Sequence, residues 1–450
     1  MNKILLFYPS FLKDDQQKTL YTDIPLSVYT LAQSLFTQYD VQVIDQRIDN
    51  ISEDTDGILK DTFLVGISIT TSYQIINGLE FARRVKQFNQ GIKIVWGGWH
   101  ASLMSNETIQ HDLVDIVMIG QGEEIFKRLA YCIQTNGSLD EVPNILYKDD
   151  TGKVVATKTE YFGNFQMADS MIPIYQKIDL KRYIHSAWGH DRVLGYESSR
   201  GCFNQCAFCS IGALFKRKWY GMEAGQVVKD LAYIKQEYNI DAVHFFDNNF
   251  FVNKKRVQEI AEMIKMQNLK IKWDGTAVVR QFLSYTSKEI EQLMDGGFFR
   301  IIIGVESGDE LVLNKINKNH NNEQVLEVVR RCKEYGILPS MSFMVGFPWE
   351  PHKDTENTIK LIEEIKAIYH NSEILLFCFS PYLGTQLYEE AKRYSMQYPD
   401  SLEGWAQFTY DKMNTPWLDE SLKNRIRRYL SFFGTSPQTE IQNKFMKGFQ

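Results

Sequence analysis

The chain has 450 residues, with 50 Lys and Arg against 56 Asp and Glu and a formal net charge of −6. At about 100–200 residues per domain this length implies two or three domains. The acidic balance and the lack of a basic stripe argue against bulk nucleic acid as a partner. With 44% hydrophobic and 24% charged residues the composition is that of a globular protein.

The first 135 residues alternate strand and helix signals. Lys3–Pro9 (KILLFYP) is a short apolar run, and Leu26–Leu35 follows with apolar residues at helical spacing. Val41–Asp45, Leu64–Thr70, Lys93–Gly98 and Asp115–Gly120 read as further strands, with a helical face at Leu79, Ala82 and Val85 and a helix start at QGEEIFKRLA. This rhythm predicts a doubly wound parallel sheet, whose ligands bind at the carboxyl ends of its strands. Those ends carry Ser68, Gly97, Gly98, His100, Gly122 and Glu123. Residues 136–190 read as a hairpin, turning at Asp149, Asp150 and Gly152, and a linker.

From about Arg192 the alternation resumes, giving six βα units through residue 395. Six are too few for a closed eight-fold barrel and predict an open, partial one, with its active site at the strand carboxyl ends. Residues 396–450 read as a helical cap. His244, inside an apolar strand, reads as a core histidine. The N-terminal apolar run is too short for a signal-peptide core, and no window approaches 18 apolar residues. A reducing cytoplasm and no membrane span are the expectations.

Six cysteines are present, and three of them fall at Cys202, Cys206 and Cys209. Cys132 and Cys332 lie on helical stripes and Cys378 in an apolar strand, so these three read as core. Thiolates at i, i+4 and i+7 can reach three corners of one cluster, and soft thiolates select Fe–S clusters, Zn or Cu(I). A structural zinc site wants four ligands, usually two CxxC pairs, and no second pair exists here. The loop follows the first strand of the βα array, where active sites belong.

Cys-x3-Cys-x2-Cys at that place, with Arg200-Gly201 before it and Phe208 before the third cysteine, resembles the radical SAM superfamily. Phe246-Asp-Asn-Asn249, Gly304-Val-Glu-Ser-Gly308, Gly346-Phe-Pro348 and Pro381-Tyr-Leu-Gly-Thr385 resemble its barrel-strand motifs. Ile24-Pro-Leu-Ser27, Val65-Gly-Ile-Ser68, Gly97-Gly-Trp-His100 and Gly120-Gln-Gly-Glu-Glu124 resemble the cobalamin-binding domain fused to many such enzymes. The likeness spans roughly residues 1–395 and is to the group holding cobalamin-dependent methylases and the anaerobic magnesium-protoporphyrin cyclase.

The resemblance implies a [4Fe–4S] cluster on Cys202, Cys206 and Cys209 whose open iron chelates S-adenosylmethionine. It places Phe208 near the adenine and Glu306 on the ribose hydroxyls, with Ser307 beside it. It sets Asp247 and Asn248 at the methionyl amino group or the substrate, with Asp247 in a catalytic role. Arg280 meets the carboxylate, and Gly346 and Pro348 lie against the adenine. Cobalamin contacts would come from Leu26, Ser68, Gly97, Gly98, His100, Gly122 and Glu123. The loop Ser10–Asp23 carries no His where methionine-synthase-type domains have their cobalt ligand. Two readings follow: cobalamin held with no protein ligand on its lower face, or a degenerate domain serving as scaffold. The implied reaction is radical C-methylation of a small molecule. The alternative is cobalamin-independent dehydration, epimerisation, cyclisation or rearrangement. Either needs a low-potential electron donor such as flavodoxin or ferredoxin.

Overall fold

The computed structural model describes residues 2–12, 23–49, 55–160, 167, 169–409 and 411–433. Most of the Ser10–Asp23 loop and the end of the expected cap lie outside them. Two compact units emerge, residues 1–185 with 398–409, and residues 186–397 with 410–450. The stretch expected as one cap is thus divided between them.

In the first unit seven strands form one sheet: β1 (Lys3–Tyr8), β2 (Asp40–Asp45), β3 (Thr62–Ser68), β4 (Lys93–Gly97), β5 (Ile116–Met118), β6 (Ile145–Lys148) and β7 (Val154–Ala156). Their order is β2-β1-β3-β4-β5-β6-β7. The first five are parallel, and the hairpin β6–β7 extends the edge antiparallel. A strand covered on both faces must be apolar throughout, and Ile4, Leu5, Leu6 and Phe7 of β1 are all fully buried. The order reverses between β1 and β3, which puts the crevice of this sheet at their carboxyl ends.

The second unit holds β8 (His185–Ala187), β9 (His190–Tyr196), β12 (Ala242–Phe245), β13 (Lys272–Ala277), β14 (Phe298–Glu306), β15 (Leu338–Val345) and β16 (Glu373–Cys378), with a separate ribbon of β10 (Ser199–Gly201) and β11 (Trp219–Gly221). The sheet order is β16-β15-β14-β13-β12-β9-β8. The six strands β9 and β12 to β16 run parallel and curl into a half barrel, the expected six units. Side chains alternate across these strands. Ile301, Ile303, Val305, Met341, Phe343 and Val345 are fully buried on one face. The other face carries Asp274, Thr276, Arg300, Ile302, Ser340, Ser342 and Glu373, several of them half-buried. Cys132, Cys332 and Cys378 are buried and unpaired, as expected of core thiols.

Candidate functional site

The cysteine loop is held at both ends by side chains from β12 and beyond. β10 leads into it, and Gly201 turns there with φ +87°; a Cβ at this position would lie 2.1 Å from the Lys218 carbonyl oxygen. Only glycine fits that turn. The Asn248 side chain accepts from the Gly201 N–H at 2.8 Å. Asp247 is fully buried and accepts from the Ser198 N–H and hydroxyl, each at 2.7 Å, and from the Ser199 hydroxyl. Arg256, also buried, donates to the Ser198 carbonyl at 3.0 Å and its hydroxyl at 2.8 Å. Burial raises the Asp247 pKa even though Arg256 and the serines oppose it. Its carboxylate is therefore committed to holding the residues that enter the loop. At the far side the Ala207 N–H donates to the Ile316 carbonyl at 3.0 Å, and Asn317 donates to the Gln205 carbonyl at 3.3 Å.

Cys202, Cys206 and Cys209 are free and half-buried. Asn204 and Asn249 donate to the Cys202 sulfur at 3.4 and 3.7 Å. Burial pushes the Cys209 thiol up to about 11 and raises that of Cys206, and the neighbouring cysteines add to both shifts. Among the described residues no three His, Cys, Asp or Glu side chains close round a single metal ion. The corners of a cubane cluster stand further apart than donors round one ion. Three neighbouring soft donors fit it in chemistry and number.

Beside the loop lies a buried ion pair that sequence spacing did not reveal. Glu306 ends β14 at φ +75°, and its Oε1 meets the Lys318 ammonium at 2.9 Å, both side chains nearly buried. Lys318 also donates to the Gly304 carbonyl at 3.0 Å and lies 5.8 Å from the Phe208 ring centre. Burial opposes the ammonium, yet Glu306, Cys206 and Cys209 raise its pKa overall. A Cβ at Gly304 would fall 2.3 Å from Glu306 Oε1, so the residue must be glycine for the carboxylate to fit. Phe208 is half-buried against the cluster containing Ala207, Phe347 and Phe379. Arg280 is exposed at the start of helix Val279–Leu283. Its charge reaches His320, which burial first of all holds down to about 4.

Ser307 and Gly346 are joined through Asp354, another residue the sequence did not single out. The Ser307 hydroxyl donates to Asp354 at 2.7 Å and the Gly346 N–H at 3.0 Å. Burial lifts the Asp354 carboxyl to about 7. Pro348 follows, half-buried.

His244 differs from the expectation of a core histidine. Its side chain keeps 18% exposure, and its Nδ1 meets the buried Asp274 carboxylate at 2.8 Å. Arg300 donates to Asp274 at 2.6 Å, to Glu373 at 2.8 Å and to Ser340 at 3.1 Å, with Trp188 stacked on its guanidinium. The Asp274 pKa is lowered, because His244 and Arg300 outweigh its burial. Strand register alone could not show this, since the four side chains come from four strands and lie 26–129 residues apart.

In the first unit the strand ends form a shelf of glycine and serine. Ser27 and Ser68 hydroxyls meet at 3.2 Å. Gly98 has φ +88°, and a Cβ there would fall 2.5 Å from the Ile69 carbonyl oxygen. A Cβ at Gly122 would meet the Met118 side chain at 2.6 Å. Leu26 is buried, while Gly98, Gly122 and Glu123 are half-buried. His100 is not on the shelf surface. It is 1% exposed, its Nδ1 bonds Thr71 at 3.0 Å, its ring lies edge-on to Trp405, and burial lowers its pKa to about 4. Its Nε2 is buried and has no hydrogen-bond partner among the described residues. Ser68, Gly98 and Gly122 are small and half-buried, and a surface of such residues fits a flat macrocycle such as a corrin.

Comparison with known proteins matches a family to part of each unit. Residues 196–362 match the Radical SAM superfamily and residues 18–130 the B12 binding domain. The chain is similar to an uncharacterized methyltransferase of Pyrococcus horikoshii, 29% identical over 394 residues covering 86% of this chain and 83% of that protein. It is also similar to the anaerobic magnesium-protoporphyrin IX monomethyl ester cyclase of Rubrivivax gelatinosus, at 24% identity over 72% of this chain, and spans 59% of that protein's length. Among solved structures, the cobalamin-dependent S-adenosylmethionine radical enzyme OxsB matches with TM-score 0.73, at 18% identity, over 96% of this chain and 67% of that one.

Proposed function

From the premise that the chain belongs to the radical SAM superfamily and carries a B12-binding domain, we propose that it is a cobalamin-dependent methyltransferase acting on a carbon of a small molecule. The observation that carries the reading is the presence, in one chain, of the three-thiol loop at the carboxyl end of β9 and of the ligand-free glycine–serine shelf on the first sheet. When bound, the cluster and S-adenosylmethionine supply a 5′-deoxyadenosyl radical, and the corrin supplies a methyl group.

The chain's own residues have distinct tasks. Cys202, Cys206 and Cys209 ligate the cluster. Glu306 accepts hydrogen bonds from the ribose diol, for which a carboxylate is a natural bidentate acceptor, and Lys318 holds it in place and balances its charge. Arg280 faces the substrate-cofactor carboxylate. Phe208, Ser307, Gly346 and Pro348 form the adenine side, with Asp354 fixing the last turn. Asp247 and Asn248 set the entry to the cysteine loop rather than touch the reacting atoms. Leu26, Ser68, Gly97, Gly98, Gly122 and Glu123 receive the corrin, and His100 supports the shelf from behind. Cysteine thiols with no disulfide among the described residues suit a reducing, cytoplasmic setting. No helix among those residues is long and apolar enough to cross a membrane.

The test is anaerobic reconstitution followed by iron and cobalt analysis, electron paramagnetic resonance and assay of 5′-deoxyadenosine. Stoichiometric cobalt and a methylated product are expected. A cobalt-free protein that still makes 5′-deoxyadenosine would instead support a rearrangement or cyclisation of the kind named for the Rubrivivax relative.

A further inference from the structure

The acidic chain has two runs of three consecutive basic residues. In Lys254-Lys255-Arg256 the arginine is buried and the lysines pair with Glu289 and Glu259, which leaves Lys216, Arg217 and Lys218 as the open tract. All three are exposed, and no ion pair is recorded for any of them among the described residues. Their position is fixed by the cysteine loop. Helix Ile211–Phe215 begins two residues after Cys209 and delivers the chain to Lys216. β11 then returns antiparallel to β10, with Trp219 opposite Gly201. The Lys218 carbonyl presses against Gly201, the residue before Cys202. Lys216 and Arg217 both take left-handed backbone, φ +51° and +56°, in the turn that carries their side chains. On the loop itself, Phe203 is 57% exposed between Cys202 and Cys206.

We propose that Lys216, Arg217 and Lys218, with Phe203 as an apolar contact, are the docking surface for an acidic one-electron carrier protein that reduces the cluster. The inference rests on the reading of Cys202, Cys206 and Cys209 as cluster ligands. One electron leaves the carrier, which is oxidised, and enters the cluster, and no bond is made or broken. Charge complementarity selects the partner, because an acidic carrier is repelled by a chain of net charge −6 except at a local basic tract. The tract borders both ends of the loop, so a carrier seated there lies beside the cluster ligands.

The experiment uses the reconstituted holoenzyme, photoreduced flavodoxin as the probe and dithionite as a small reductant. Flavodoxin binding and the rate of cluster reduction are followed at low and high salt. In a Lys216→Glu, Arg217→Glu, Lys218→Glu variant, reduction by flavodoxin at low salt should slow about tenfold or more. The wild-type rate should fall as salt rises and the variant's should not. Iron content and dithionite reduction should stay at wild-type levels. A variant with Gln at the three positions should fall between, and one with Lys216→Arg and Lys218→Arg should match the wild type. The proposal is overturned by a wild-type flavodoxin rate and salt dependence in the Glu variant. It is equally overturned if dithionite reduction falls in parallel, which would mean that the tract only shapes the loop. Tight tRNA binding lost in the Glu variant, with flavodoxin reduction intact, would assign the tract to RNA and overturn it as well. If the wild-type protein takes up no iron, the cluster reading fails. Flavodoxin binding by calorimetry, unchanged by the Glu substitutions, would then reject the docking surface on its own.

Discussion

The two parallel sheets end in opposite ways. At the carboxyl ends of the first, polar groups are paired off with one another. Asp45 takes two bonds from Arg47 at 2.9 and 2.7 Å and one from Tyr183 at 3.2 Å. Gln74 and Asn77 donate to the carbonyls of Pro9 and Ser10. What remains open is Ser27, Ser68, Gly98 and Gly122, with Trp99 and Glu123 beside them. At the ends of the second, three thiols are left half-buried, and an ammonium and a carboxylate are buried beside them. A sheet end with its charges spent can hold a large neutral group by shape. One with soft donors left over supplies covalent ligands and directed charge.

Five substitutions test this contrast, the largest effect first. Cys206→Ala should abolish cluster-dependent S-adenosylmethionine cleavage while leaving cobalt content at the wild-type level. Metal analysis and 5′-deoxyadenosine assay on one preparation decide it, and loss of both metals would break the comparison.

Lys318→Met leaves the buried Glu306 carboxylate without its partner. Breaking one side of a buried pair costs about 3–5 kcal/mol. Denaturant melts should show that loss, and adding Glu306→Gln should restore most of it. A Lys318→Met protein of wild-type stability would show that the pair is not held as tightly as its geometry indicates.

The two buried titrating groups should respond to pH in opposite senses. Asp354 has a folded pKa of about 7, raised from 3.8. The folded state therefore keeps a proton that the unfolded chain gives up, and this contribution is full below about pH 4 and lost as pH rises to 7. At most it amounts to about 4 kcal/mol. Asp354→Asn should remove that downward slope in stability. His100 is lowered from 6.5 to about 4, so its contribution is present above pH 6.5 and lost as pH falls toward 4, at most about 3 kcal/mol. His100→Gln should flatten that acid-side loss, read by hydrogen exchange of β3 and β4 amides. An unchanged slope in either variant would exclude that group as the source.

Much of this molecule could be read from local pattern. The alternation of apolar strands and amphipathic helices gave both parallel sheets, and Leu26–Leu35 is a helix over the same residues that the spacing indicated. The three-cysteine loop was legible because its thiols lie within one short stretch. Glu306 and Gly346 were visible as strand ends. Their partners Lys318 and Asp354 were not: Lys318 lies in a loop between two helices, and Asp354 is a carboxylate on the buried face of helix Pro351–Ile368, where the apolar period hides it.

The sequence by itself determined the order of elements, the two sheets and the thiols, since each depends on residues a few positions apart. Only the tertiary structure decided what the charged side chains do. It bonded Asp247 to Ser198 and Ser199 and buried His100. It also joined His244, Asp274, Arg300 and Glu373 across four strands. The physical reason is that a buried charge takes its role from whichever partner desolvation forces it to find. In a parallel sheet that partner comes from a strand dozens of residues away.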